Sequence, residues 1–176
     1  ANRTVSASDL TVTQGGGGVA QSVQYRAEQF IMLTDYLPTN FTSATETDTA
    51  WAAALAECAS EGKALFVPGT DTYYRVIAAI TVPAGVKIWG DGFKSVIRQI
   101  TVDENLFECG GDNEFTGLHL QGHNTDASTD PYANGGIYAF GVNNISVHHC
   151  WLSRFYGSAT HFQDCYNIRV QDNVFF

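Results

Sequence analysis

Positive charge is scarce in this sequence. Nine Lys and Arg stand against eighteen Asp and Glu, a formal net charge of −9. A chain this acidic is repelled by a nucleic-acid backbone or an anionic bilayer, so neither is expected as a partner. Long apolar runs are missing as well. No stretch approaches the roughly 20 residues of a membrane helix. The opening ANRTVSASDL has no apolar core of the signal-peptide kind. It is read as beginning after a removed Met or at the edge of a longer chain. The four cysteines, Cys58, Cys109, Cys150 and Cys165, form no CxxC pair and no metal-ligand spacing. No metal and no cofactor are therefore expected. A disulfide framework belongs to shorter, denser chains, so these are read as reduced core thiols. The Asn-x-Ser/Thr triplets at Asn2, Asn40 and Asn144 are read as chance, since Asn144 falls at a strand start.

What remains is a globular composition, 44% hydrophobic, 12% aromatic and only 15% charged, with 17 glycines to make turns. Such a surface suits a neutral or weakly charged ligand, a glycan for example. Residues 1–20 are polar and end in four glycines, which predicts a flexible attachment arm. Residues 21–46 hold two apolar patches, Phe30 to Leu33 and Tyr36-Leu37, and are read as an extended segment packing on the cap. Residues 47–62, TDTAWAAALAECASEG, predict a helix. Thr47 or Asp48 is placed to cap its first N–H groups, Trp51, Leu55 and Cys58 share one face, and Gly62 ends it. From residue 63 onward only short strands are predicted, beginning with Ala64 to Val67, Tyr73 to Val76, Ile80 to Val82 and Val86 to Ile88.

A repeat selects among all-β folds. Aligning NEFTGLHLQG, NNISVHHCWLS and YNIRVQDNVFF puts Phe115, Val147 and Val170 in one column. Leu118, Cys150 and Asn173 fall in a second, and Leu120, Leu152 and Phe175 in a third. Ile88 of GVKIWGDG joins the first. A basal period of about 23 residues, with the polar loop 122–136 inserted once, is the signature of stacked coils whose columns become interior ladders. The fold class expected is all-β, a single-stranded parallel β-helix with an N-terminal capping helix. Residues 63–176 form its first coils.

The opening of this region resembles the pectin-lyase-like superfamily of right-handed parallel β-helices. The residues that carry the resemblance are Asp48, Thr49 and Ala50, then Leu65, Pro68, Gly69 and Tyr74, then Val86, Ile88, Gly90 and Gly92. Within that superfamily the arm and capping helix look most like a phage tailspike depolymerase. The resemblance implies a homotrimer that binds and cuts bacterial surface polysaccharide, capsule or O-antigen. It also implies attachment to other virion tail proteins through the arm, assembly in the host cytoplasm and action outside the host surface. A secreted pectate lyase, polygalacturonase or epimerase of the same fold is the first alternative, and a non-enzymatic adhesive β-helix the second. Family members run many coils further and carry catalytic carboxylates in mid-stack. No catalytic residue is therefore assigned, and the active site is expected after Phe176, with 166–176 as an ordinary middle coil.

Three outward columns flank the ladders: Glu114, Ser146, Arg169; Thr116, His148, Gln171; and His119, Trp151, Val174. Aromatics stack on sugar rings and polar groups bind hydroxyls. His148, Trp151 and Arg169, with Tyr132 in the polar loop, are thus the candidate glycan or subunit contacts. His148 and His149 point to opposite sides of a strand, so a His149–Asp172 hydrogen bond is expected in place of a shared ion. Asp103, Glu104, Glu108 and Asp112 are read as a solvated acidic cluster at one turn. Asp126 and Asp130 are read as members of a flexible loop rather than a cation site.

Overall fold

The computed structural model describes residues 29–123 and 135–176, together with the backbone of 11–12 and 21–22. It is a β-solenoid of about four turns with three parallel sheets and, among the described residues, one N-terminal α-helix. The short strands β1 (Thr11–Val12) and β2 (Gln21–Ser22) pair antiparallel. The arm and the loop that carries Tyr132, Asp126 and Asp130 otherwise lie outside the described residues.

The first sheet stacks β3 (Phe30–Met32), β4 (Ala64–Val67), β7 (Lys87–Gly90), β10 (Glu114–Thr116), β13 (Asn143–His148) and β16 (Tyr166–Gln171). The second stacks β5 (Tyr74–Val76), β8 (Val96–Gln99), β11 (His119–Gln121), β14 (Trp151–Ser153) and β17 (Val174–Phe175). The third stacks β6 (Ile80–Val82), β9 (Phe107–Cys109), β12 (Ile137–Phe140) and β15 (Thr160–Gln163). Each of the four complete coils contributes one strand to each sheet, while β3 adds a strand to the first sheet alone and the last coil adds β16 and β17 to the first two, so every strand pairs with its counterpart one coil away.

The register follows the sequence columns. Leu65, Ile88, Phe115, Val147 and Val170 pair in succession, as do Tyr74, Ile97, Leu120, Leu152 and Phe175. Alternation turns these side chains inward and their neighbours outward. Most of the inward set is fully buried and forms one continuous core. Parallel strands one coil apart are about 4.8 Å apart, so like side chains stack in van der Waals contact.

The corners are written in backbone conformation. Gly85, Asp112, Asn144 and Asn167 occupy equivalent positions and all have positive φ, between 51° and 80°. This is the left-handed region that Gly, Asn and Asp tolerate best. The asparagines add a side-chain ladder: Asn144 Nδ2 donates to Asp112 Oδ1 at 2.6 Å, and Asn167 Nδ2 to Asn144 Oδ1 at 2.7 Å. The Asn144 amide is thereby engaged in the stack. A second left-handed corner runs through Gly117, His149 and Asp172. Gly90, one coil earlier, must be glycine for a different reason: a Cβ there would lie 2.3 Å from the Gly117 carbonyl oxygen.

Helix α1 (Asp48–Glu61) closes the N-terminal end. Its Trp51, Leu55 and Cys58 are buried together with Ala50 and Ala54, and Trp51 meets Tyr74 and Phe107 edge-on. Gly62 ends it in a left-handed conformation, with its N–H on the Cys58 carbonyl. The N-terminal polar residues do not cap α1 through their side chains as the sequence predicts. Thr47 Oγ1 donates to the Arg75 carbonyl at 2.8 Å, and the Asp48 carboxylate accepts from the N–H groups of Ile77 (3.0 Å) and Ala78 (2.8 Å). They tie the helix to the first coil because the end of β5 offers orphan backbone groups within reach. The segment before the helix contributes β3, whose Ile31 pairs with Leu65, and a 3-10 turn at Leu33–Tyr36 that buries Leu33. The Tyr36 hydroxyl donates to the Glu57 carboxylate, which raises the phenol to about 12.

The asparagines among the covered polar residues complete backbone hydrogen bonds. Asn113, 2% exposed, donates to the carbonyls of Pro83 and Val86 and accepts from the Gly111 N–H. Asn173 donates to the Val147 carbonyl at 2.8 Å and accepts from the Cys150 N–H at 2.9 Å, bonding along the stack. The four cysteines are free, and burial pushes Cys58 and Cys150 to about 11 and Cys109 to about 12.

Candidate functional site

The outer face of the first sheet gathers the most varied chemistry. Its two outward columns read Lys87, Glu114, Ser146, Arg169 and Trp89, Thr116, His148, Gln171. Glu114 is the hub. Its carboxylate lies 3.5 Å from Lys87 Nζ one coil below and 3.1 Å from His148 Nε2 one coil above. The His148 partner is diagonal, two positions along the neighbouring strand, a spacing that long side chains bridge. The other His148 nitrogen, Nδ1, meets Thr116 Oγ1 at 3.2 Å and His149 Nδ1 at 2.9 Å. A cation, a carboxylate and an imidazole thus form one line up the stack, with Glu114 and His148 both about three-quarters covered.

Below that line the face becomes aromatic. Phe30 meets Trp89 at 5.2 Å between ring centres and Phe66 at 6.1 Å. Beside them Gln29, Phe30, Gly62, Lys63, Ala64, Gly85, Lys87 and Trp89 line a shallow groove of about 250 Å³. The Trp89 Nε1 is buried without a hydrogen-bond partner, an unusual state for an indole donor. An aromatic floor with ammonium groups at the rim is the surface that a sugar ring with polar or anionic substituents would occupy.

His148 and Arg169 share this face, one coil apart in adjacent columns. Arg169 stands exposed above Ser146. Trp151 does not join them. It comes after the left-handed corner at His149 and so lies on the second sheet, where it packs edge-on against Phe93 at 5.8 Å. Tyr132 lies outside the described residues. His149 turns to His148 and not to Asp172, because the positive φ at the corner directs its ring back along its own strand. The acidic cluster is dispersed. Asp103 and Glu104 precede β9, Glu108 sits on it between Thr81 and Tyr138, and Asp112 belongs to the corner ladder. Among the described residues no group of three or more His, Cys, Asp or Glu is arranged to hold a metal ion. No described helix is long and apolar enough to cross a membrane.

His119 also departs from its expected place in the open. It is outward on the second sheet but only 3% exposed, because the Phe93 ring lies over it at 4.4 Å. Burial lowers its pKa, so the ring is held neutral. The columns in the sequence identify Glu114 and His148 as outward but give no sign of their diagonal contact. The same columns leave Lys87, Trp89 and Phe30 unmarked as site residues. The signal available for two of them is the position of Lys87 and Trp89 opposite Glu114 and Thr116.

No protein-family model matches the chain, and no curated protein matches it by sequence. Solved structures do match in fold. The A-module of Azotobacter vinelandii mannuronan C-5 epimerase AlgE6 superimposes with a TM-score of 0.66 at 17% identity, over 81% of this chain and 42% of that one. The Dettilon tailspike protein gp208 gives 0.60 at 15% identity, over 86% of this chain and 32% of that one. ORF18 of Geobacillus virus E2 gives 0.55 at 13%, over 74% and 29%. The chain thus spans less than half the length of each of these three structures. It has the parallel β-helix fold of the mannuronan epimerase A-module and of phage tailspikes, at low sequence identity.

Proposed function

We propose that this chain is the N-terminal part of a phage tailspike that recognises and depolymerises a bacterial surface polysaccharide, with these coils contributing part of the glycan-binding face. The observation that carries the reading is the outer face of the first sheet, where the Phe30–Trp89 groove continues into the Lys87–Glu114–His148 line on a rigid stack. His148 and Arg169 contact the glycan in this reading. The second sheet, with exposed Phe93 and Val174 beside Trp151, faces a neighbouring subunit of a homotrimer. The arm attaches to other tail proteins. The test uses the longest natural form of the protein on purified capsule and O-antigen. New reducing ends or unsaturated products are expected, and His148→Ala and Trp89→Ala are expected to weaken glycan retention about 5- to 10-fold each. Absence of both cleavage and retention across host glycans would sink the proposal.

The same line of residues favours one second reading, a uronate-modifying enzyme, epimerase or lyase. Such chemistry needs a cation to neutralise the substrate's uronate carboxylate and a base for the adjacent C–H, and Lys87 and His148, held on either side of Glu114, are groups of those two kinds on this face. Inversion at C-5 without chain cleavage, observed by proton NMR of a uronan, separates it from depolymerisation.

A further inference from the structure

We propose that His148 and His149 form a binding site for a divalent transition-metal ion at the edge of the first sheet. The two Nδ1 atoms are its ligands, Thr116 Oγ1 stands at a third position, and Glu114 orients the His148 ring. The site shares His148 with the glycan-binding face but rests on the imidazole geometry, so it does not depend on that reading.

Neighbouring residues of a regular strand point to opposite sides and cannot share an ion. The corner removes that obstacle. His149 has a left-handed φ of 54°, at the position where the adjacent coils carry Gly117 and Asp172. Its ring is thereby turned back to His148, with the two Nδ1 atoms 2.9 Å apart and the ring planes at 85°. Two nitrogens that each lie about 2.0–2.1 Å from one ion, at angles between square and tetrahedral, are about 2.9–3.4 Å from each other. The observed separation is the short end of that range. Thr116, paired with His148 across the register, brings its Oγ1 to 3.2 Å from His148 Nδ1.

The partners also set the protons. Glu114 Oε1 lies 3.1 Å from His148 Nε2 and can only accept, so Nε2 carries the hydrogen and Nδ1 keeps its lone pair. A carboxylate behind the far ring nitrogen is how ligating histidines are held in tautomer and orientation. Lys87 Nζ steadies that carboxylate through its other oxygen at 3.5 Å. No fixed donor occupies the Nδ1 lone pair, because the Thr116 hydroxyl can rotate and exposed His149 can change tautomer. Without an ion, His149 Nδ1–H donates to His148 Nδ1. With an ion bound, that proton resides on His149 Nε2, so the exchange through solvent releases no net proton. Imidazole nitrogen selects Cu²⁺, Ni²⁺ and Zn²⁺, with Cu²⁺ the tightest, and disfavours Ca²⁺ and Mg²⁺, which take oxygen. Two imidazoles and a hydroxyl leave coordination positions open on the exposed side, where water or the hydroxyl and carboxylate oxygens of a ligand complete the set.

The test distinguishes a metal site from a hydrogen bond between two rings. The purified chain, carrying no histidine tag, is titrated with Ni²⁺ and Zn²⁺ by isothermal calorimetry. Cu²⁺ is added below one equivalent for electron paramagnetic resonance. One ion per chain is expected, with hyperfine splitting from two imidazole nitrogens. His149→Asn retains a residue that tolerates the left-handed corner, and it should weaken Ni²⁺ binding about 10-fold or more, as should His148→Gln. Glu114→Gln should weaken it about 10-fold with the stoichiometry kept. His161→Ala, on the third sheet, should leave it unchanged. No binding of any of the three ions by the natural chain, folded by circular dichroism, would overturn the proposal. Binding as tight in His149→Asn as in the natural chain would do the same, since one imidazole would then suffice.

Discussion

The two ends of the stack carry the same columns in opposite surroundings. At the N-terminal end α1 lays Trp51 and Leu55 over the first ladder residues, and Leu65, Tyr74 and Ile88 are fully buried. In the last coil Val170 and Phe175, in those same ladders, are 40% and 53% exposed. The backbone pairing is equally regular at both ends. In a solenoid, then, hydrogen-bond register and hydrophobic burial are separable: the first is set by one neighbouring coil, the second by neighbours on both sides.

The largest expected effect breaks one column at its two levels. Leu120→Ala should destabilise by about 2–5 kcal/mol through lost burial and a residual cavity, whereas Phe175→Ala, in a chain that ends at Phe176, should change stability by less than about 1 kcal/mol. Urea denaturation of both variants checks this, and equal losses would collapse the contrast between ends. Next come the interior asparagines. Asn113→Leu leaves the carbonyls of Pro83 and Val86 and the Gly111 N–H without their partner, for a loss of about 2–3 kcal/mol. Asn173→Leu should lose less, since it sits in the half-covered coil; thermal melts of the pair would show the order.

The smallest effect concerns pH. The folded pKa of His119 lies below its unfolded value. Below about 6.5 the unfolded chain binds a proton that the native ring refuses, so stability from this group is full above that pH and is lost as pH falls. His119→Gln should flatten the stability profile between roughly pH 5 and 7. An unchanged slope would show that other groups set it.

The ladders were legible because inward residues repeat in kind: Ile88, Phe115 and Val147 are apolar at equivalent positions, and a shift of one residue would expose them all. The helix was legible from its alanines and the Trp51–Leu55–Cys58 face. The polar ties were not. Thr47 and Asp48 look like helix caps, and only the folded path of β5 shows that Arg75, Ile77 and Ala78 claim them. Strand β3 has three residues and no repeat before it, so nothing marked Phe30–Met32 as a rung. The Glu114–His148 contact joins different columns, which an alignment of coils keeps apart. The covering of His119 depends on Phe93, in a 3-10 turn that belongs to no repeat.

The ladder of Asp112, Asn144 and Asn167 has a consequence for how such a protein can vary. Each amide locks a corner to the one beneath it, so the path into the next rung is fixed whatever length of chain precedes it. The long excursion between β11 and β12 leaves the pairing of Ile137 with Phe107 and with Thr160 in step. New surface can therefore be spliced in at one corner while the frame keeps its alignment, which lets recognition diversify without renegotiating the scaffold.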